Sequence, residues 1–260
     1  VPPDHFFIAG LNGVRECLRS PHVAVRRLFS CGPLPEELQS LAGSIPLVEG
    51  DSPTCPYGEL VQRVAALVRC PCWPSFEDWL DQQSGGVRPT GVRPTGVRPT
   101  GVRPLLLLLD QLHDPQNFGQ IIRSAECAGV QAIVLSEHRS VSLTQVAAQV
   151  SQGAFAWQTV LTVTNLRQAM EKLKRSGFWV IGCEALPEAR PWFQVDFCDP
   201  CALVLGSEGF GLRESVRKAC DHLIRLPLAG HISSLNVSAA AAAVLFEAAR
   251  QRAAQRGFPS

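Results

Sequence analysis

A chain of 260 residues can hold one large or two modest domains, and a net charge of +1 gives no electrostatic case for a nucleic-acid partner. The three lysines are greatly outnumbered by arginine, whose planar fork suits phosphate, although GC-rich coding produces the same excess. The longest apolar run, Leu105 to Leu109, is far too short to span a bilayer, and ten cysteines without a secretory pattern read as reduced, individually buried thiols. Cys198-Asp-Pro-Cys201 and Cys70-Pro-Cys72 are close pairs. A structural zinc wants four ligands in two such pairs, and none of the six histidines supplies the remainder, so no metal is expected.

In chain order, Phe7 to Gly10 is a short apolar run, and Leu11 to Leu18 has helical spacing bounded by Gly10 and Ser20. Val25 to Phe29 reads as a strand, Pro35 to Leu41 as a helix and Ile45 to Val48 as a strand, which makes residues 1–80 a small α/β domain. Residues 81–103 read as a linker: between Gly86 and Pro104, GVRPT repeats three times in full and once in part. Proline every five residues blocks regular helix and central strand, and no face is apolar. The alternative is a basic tether, with Arg88, Arg93, Arg98 and Arg103 on RNA phosphate.

Residues 104–260 form the second domain, beginning with Leu105 to Leu109 as a buried parallel strand. A helix from Phe118 to Ala128, with Asn117 as its cap, ends at Gly129. Strand Ala132 to Leu135, helix Leu143 to Val150 capped by Ser142, and a strand near Gln158 to Leu161 follow. Asn165 caps a helix through Arg175 that ends at Gly177, and strands Phe178 to Gly182, Ala202 to Leu205 and His222 to Leu226 complete the set. Strands alternating with helices of this length predict a mostly parallel sheet covered on both faces. Trp179 and Trp192 read as core or interface, and the run Ala239 to Ala243 needs a neighbouring helix or a second subunit to cover it.

The last two strands each end in a loop crowded with Gly, Ser, Asn and Pro that opens onto a helix, which is where open α/β sheets place ligands. Gly206, Gly209 and Gly211 let backbone approach a bulky ligand, and Glu208 among them disfavours phosphate and suits a cationic or amine-bearing one. The order G-x-x-G-x-G differs from the dinucleotide fingerprint, which counts against a nucleotide-dependent oxidoreductase. Ser234 and Asn236, just before the final helix, suit helix caps.

Three motifs in this order resemble the SpoU (TrmH-like) branch of the SPOUT methyltransferases. Asp110, Asp114, Pro115, Asn117, Gly119 and Arg123 fit D-x-x-x-D-P-x-N-x-G-x-x-x-R; Glu208 stands in LGSEGFGL; Ser234 and Asn236 stand in LPLAGHISSLNVS before the alanine helix. The resemblance implies transfer of a methyl group from S-adenosylmethionine to a ribose 2′-hydroxyl of RNA, by a homodimer whose α/β fold carries a C-terminal trefoil knot. Main-chain groups near Leu205, Gly206, Leu226, Leu228 and Leu235 would hold the cofactor, and Asn117, Arg123, Glu208, Ser234 and Asn236 would form the catalytic group. A guanidinium does not readily give up its proton, so Arg123 is expected to clamp the phosphate beside the target ribose while Glu208, Ser234 and Asn236 orient the hydroxyl and the loops.

The pattern FFIAGLNGVRECL followed by VRRLFS is similar to the L30e-like RNA-binding domain that precedes the catalytic domain in one subgroup. Leu60 to Val64 corresponds there to a His-Gln-Gly turn, without its glycine. The run from RSAECAGV through LAGHISSLNVS to FEAARQR looks closest to the branch acting on guanosine of large-subunit rRNA in bacteria and mitochondria. A tRNA 2′-O-methyltransferase and a catalytically dormant ribosome-assembly factor are the alternatives. Arginine bias, the interrupting repeat and a start at Val1-Pro2 that suggests a missing presequence point to the mitochondrial matrix.

Overall fold

The first apolar runs pair into a sheet of four strands. The computed structural model of the chain describes residues 4–52, 54–84, 103–137, 140–207 and 209–256, so most of the GVRPT linker lies outside the described residues. Strands β1 (His5–Ala9), β2 (Ala24–Cys31) and β3 (Leu47–Gly50) are followed by a small hairpin of β4 (Thr54–Cys55) and β5 (Gly58–Glu59), and then by β6 (Val64–Arg69). The sheet order is β1-β6-β2-β3, with β6 antiparallel to both neighbours and β2 parallel to β3. Helices α1 (Leu11–Arg19) and α2 (Glu36–Ala42) complete this part.

The central strand β6 was not legible from sequence, because the turn before it lacks glycine. Val61–Arg63 forms a 3₁₀ turn in which Gln62 and Arg63 take φ values of 53° and 64°. Side-chain bonds hold this left-handed geometry in place of glycine: Leu11 N–H donates to Gln62 Oε1 at 2.9 Å, and Arg63 Nε donates to the Cys31 carbonyl at 2.8 Å.

Strand β1 lies at a sheet edge, and its outward backbone groups are taken up by two glutamines four apart on the helix Gln145–Val150. The Gln145 amide accepts from Phe7 N–H (2.7 Å) and donates to Phe7 O (2.5 Å), and Gln149 does the same at Ala9 (2.8 Å each way). A helical repeat of four residues thus matches a strand repeat of two, closing an edge that would otherwise pair with another chain. The described residues up to Cys72, with Pro115–Arg123 and Leu143–Gln158, form one compact unit.

The second unit comprises the described residues of Trp73–Asp114, Ser124–Ser142 and Thr159 onward. Its first helix, α3 (Phe76–Ser84), straddles the boundary expected at residue 80 between the leading domain and the linker. Phe76, Trp79 and Leu80 are buried in one core with Leu106, Leu108, Met170 and Phe178, which draws residues 73–84 into this unit. The remaining α-helices among the described residues are α4 (Pro115–Cys127), α5 (Gln145–Val150), α6 (Leu166–Arg175), α7 (Glu214–Arg217) and α8 (Val237–Arg256). Two caps differ from expectation. α4 starts at Pro115, a residue preorganised for the first helical position, so Asn117 lies inside the first turn; α5 is capped by Thr144, whose hydroxyl accepts from Ala147 N–H, and not by Ser142. Asn165 caps α6 as expected.

The strands of the second unit are β7 (Leu105–Asp110), β8 (Ala132–Ser136), β9 (Val160–Val163), β10 (Trp179–Cys183), β11 (Arg190–Pro191), β12 (Cys201–Gly206) and β13 (His222–Arg225). They pair in the order β11-β13-β10-β12-β7-β8-β9, and every pairing is parallel. Leu105 to Leu109 are fully buried in the middle strands, where each side chain contributes about 2 kcal/mol of transfer free energy. From β7 the chain steps outward through β8 to β9, then returns to the other side of β12 to lay down β10. The carboxyl ends of β10, β12 and β13 come together there. No described helix is long and apolar enough to cross a membrane.

Candidate active site

Three strand ends and one helix start enclose a cavity of about 620 Å³ at the carboxyl edge of the seven-stranded sheet. Its walls are Cys183–Leu186 from the end of β10, Leu205–Ser207 and Gly209–Gly211 from the end of β12, Leu226 and Leu228 after β13, and Ser233–Val237 with Ala240 at the start of α8. All five residues expected to hold a cofactor (Leu205, Gly206, Leu226, Leu228 and Leu235) line it, and so do Ser234 and Asn236. Glu208 lies outside the described residues. Asn117, buried, and Arg123, exposed, are on α4 and do not line this cavity.

The loop after β12 folds back on itself. Ser207 and Gly211 form an isolated antiparallel bridge, with Gly211 N–H donating to Ser207 O at 3.1 Å. A Cβ on Gly206 would lie 2.2 Å from both the carbonyl carbon and the oxygen of Gly211. The space that a side chain at Gly206 would take is therefore filled by the loop's own backbone. Gly211 has φ +66°, which an L side chain rarely adopts.

Asp110, the first residue of the first motif, holds the far end of this loop. Wholly buried at the end of β7, it accepts from Arg213 N–H through Oδ2 (2.9 Å) and from Arg213 Nε through Oδ1 (2.8 Å), and Oδ1 forms an ion pair with the terminal guanidinium nitrogen (2.6 Å). Charge-assisted bonds of this forked kind fix geometry as well as energy. Sequence reading found Asp110 and missed Arg213, because nothing in the spacing pairs residues 103 apart in the chain.

At the opposite wall, Asn236 caps α8: its Oδ1 accepts from Ser238 N–H (2.8 Å) and from Ser238 Oγ (2.5 Å). Ser234 stands two residues earlier in the exposed loop. The positive end of a 20-residue helix thus faces the cavity.

Sequence reading also missed Glu184. Its residue follows β10 directly, and burial holds its carboxyl above the usual carboxylate range, against the pull of Arg217 and a main-chain hydrogen bond from Leu212. The cysteines are free; burial pushes Cys17 and Cys220 up to about 12 and Cys201 to about 11, so these thiols are inert at neutral pH. Two thiols expected to be buried, Cys72 and Cys127, are exposed.

Residues 104–246 match the model of the SpoU rRNA Methylase family, more than half of the chain. The chain belongs to this family. The RlmB 23S rRNA (guanosine-2′-O-)-methyltransferase of Pseudomonas syringae pv. tomato is 43% identical over 152 residues, which span 58% of this chain and 60% of that protein. A Staphylococcus epidermidis protein assigned to the TrmH family of tRNA/rRNA methyltransferases is 33% identical over 252 residues, 94% of this chain and 95% of that one. Among solved structures, the SpoU methyltransferase AviRb from Streptomyces viridochromogenes, in complex with the cofactor AdoMet, superposes with a TM-score of 0.73 at 24% identity, over 96% of this chain and 92% of that chain.

These relatives come from bacteria, and that overturns the expected mitochondrial matrix address, which rested on arginine bias, the repeat and the chain start.

Proposed function

We propose that the chain transfers a methyl group from S-adenosylmethionine to the 2′-hydroxyl of one ribose, a guanosine, in large-subunit rRNA. The observation that carries this reading is the cavity at the carboxyl ends of β10, β12 and β13, in a chain of the SpoU family. Among the described lining residues most are apolar or small, one, Glu184, is a carboxylate, and none is lysine or arginine. Such a donor set fits a flat nucleoside and an amine-bearing chain better than a pyrophosphate. Leu205, Gly206, Leu226, Leu228 and Leu235 hold S-adenosylmethionine through main-chain groups. When bound, it supplies an electrophilic methyl on a sulfonium.

The chain's own residues align the acceptor and relieve it of its proton. Ser234 and Asn236, at the positive end of α8, orient the hydroxyl and favour developing negative charge on its oxygen. Arg123 takes the phosphate beside the target ribose, and Glu208 orders the loop after β12; both roles, with that of Asn117, rest on the family motif. The same reading includes the L30e-like role for the leading unit, the knot in the C-terminal region and a homodimer. α8 favours the last: Phe246 is about half exposed and Ala239 is exposed, so the helix still offers an apolar face.

The test is transfer of labelled methyl from S-adenosylmethionine to transcribed large-subunit rRNA, with tRNA as competitor and Asn236→Ala as control. Label at one alkali-resistant ribose on rRNA, lost in the variant, is the expected result. Label on tRNA alone would move the substrate to the one also named for the staphylococcal relative. No label on either, from a folded dimer, would leave the assembly-factor reading.

A further inference from the structure

One carboxylate in the cavity wall has no part in the chemistry assigned so far. Glu184 is pinned by its main chain, its N–H donating to Ile224 O and its carbonyl accepting from Leu186 N–H, each at 2.9 Å. Its side chain turns toward the loop after β12: a Cβ on Gly211 would lie 2.8 Å from Oε1. The second oxygen, Oε2, is shielded from solvent and has no hydrogen-bond partner among the described residues. A buried carboxylate oxygen without a donor is an expensive arrangement for a fold to keep, since desolvation is not offset by any bond. Packing alone does not call for it, because an apolar side chain of the same length would fill the space without that penalty.

Resting on the methyl-donor reading above, the structure assigns to Glu184 the recognition of an amino group on the cofactor: the carboxylate rotates on binding so that Oε2, shielded from solvent in this structure, accepts a hydrogen bond from it. S-adenosylmethionine carries two such groups, the exocyclic amine of its adenine and the ammonium of its methionine part, and either meets the same need. Glu184 is thus a specificity residue: it selects a donor that brings an N–H to this point of the cavity. The glutamine variant is informative because it is nearly isosteric. If its amide oxygen takes the place of Oε1 beside Gly211, its NH₂ faces the ligand's amino group, donor against donor.

The experiment is calorimetric titration of the full-length wild type and Glu184→Gln with S-adenosylhomocysteine, with S-inosylhomocysteine (an oxo group replaces the adenine amine) and with 5′-methylthioadenosine (no amino-acid part). Thermal unfolding of both proteins without ligand checks the fold. Glu184→Gln should bind S-adenosylhomocysteine at least tenfold more weakly than wild type, yet show no loss for the one analogue that lacks the recognised amine: equal affinity for 5′-methylthioadenosine, or a gain for S-inosylhomocysteine, whose oxo group accepts from the Gln NH₂. The analogue that shows no loss identifies the amine. An equal loss for all three ligands would make Glu184 a structural residue and overturn the inference, as would unchanged affinity for S-adenosylhomocysteine. Wild type that binds none of the three would instead overturn the methyl-donor reading, and this inference with it.

Discussion

Arg213→Met should destabilise the second unit and loosen the cavity even though Arg213 does not line it. The substitution keeps an apolar stem but removes the guanidinium hydrogen bond and ion pair to Asp110, leaving a wholly buried carboxylate whose one remaining donor among the described residues is the Arg213 N–H. Breaking one side of a buried pair typically costs about 3–5 kcal/mol. Because the Arg213 side chain is itself 44% exposed, water can reach the vacated side, which sets the expectation at the lower end, roughly 3 kcal/mol. In a chain of this size that corresponds to a fall in Tm of about 6–12 °C. Asp110→Asn keeps the shape and one of the two acceptors while removing the charge; its NH₂ then faces one of the Arg213 donors, and the change should cost about 1–3 kcal/mol. The combination of both changes should cost less than the sum, with a coupling of about 1–2 kcal/mol, since the charge that Arg213→Met strands is then absent. Urea unfolding of wild type, the two single variants and the double variant measures this cycle, and S-adenosylhomocysteine affinity reports on the loop. Additive effects, or a loss below about 1 kcal/mol for Arg213→Met, would refute the view that this pair holds the loop.

Asn236→Ala should lose about 1 kcal/mol of stability as a missing cap, while methyl transfer falls by a hundredfold or more; equal, small losses in both would make capping its whole role. Gly206→Ala places a methyl 2.2 Å from Gly211 backbone, so the loop cannot close: cofactor binding measured by calorimetry should be lost, and retained affinity would contradict the loop geometry. For Glu184, burial raises the folded-state pKa above the unfolded value of 4.5, with Glu188 adding to the rise and Arg217 opposing it. The folded state then holds the proton more tightly, so this group's contribution to stability is full below the unfolded pKa and is lost as pH rises through the folded one. Free Glu184→Gln should therefore gain on wild type in Tm between pH 4 and neutrality, and a difference that stays flat across that range would count against it. Replacing Gln145 and Gln149 together by alanine uncovers the β1 edge; light scattering on warming should show earlier association than wild type, and unchanged behaviour would remove their edge-closing role.

Much of the second unit was readable because its strands are short apolar runs buried on both faces and its helices have local stop signals. Leu105 to Leu109 and the Asn165 cap act within a few residues of themselves, and their outcomes match the reading. What failed was set by partners distant in the chain. β6 follows a turn whose left-handed residues are Gln62 and Arg63, held by bonds to Leu11 and Cys31, so no glycine marked it. α3 carries Phe76, Trp79 and Leu80 on a segment next to the repeat, and only the core formed with Met170 and Phe178 shows where it belongs. In the site, local motifs named Leu205, Gly206, Ser234 and Asn236, whereas Glu184 and Arg213 belong to no motif read from the sequence and emerge only when β10 and β12 are placed side by side.

The loop after β12 is therefore best understood as a part held from three directions. Asp110 anchors its end through Arg213, the missing Cβ of Gly206 lets Gly211 fold onto the strand, and the Glu184 carboxylate packs where a side chain on Gly211 would stand. Each hold acts on backbone within an eight-residue span, so a change at any of the three displaces the same cavity wall. The physical consequence is that motif residues cannot be divided into structural and functional ones here. Asp110 contacts no ligand in the proposed reaction, yet it fixes the loop whose main chain does, as second partners fix the geometry of any preorganised site. Residues in such a network should couple in double-variant cycles, whereas Asn236, on the opposite wall at the start of α8, should combine additively with Arg213→Met in stability.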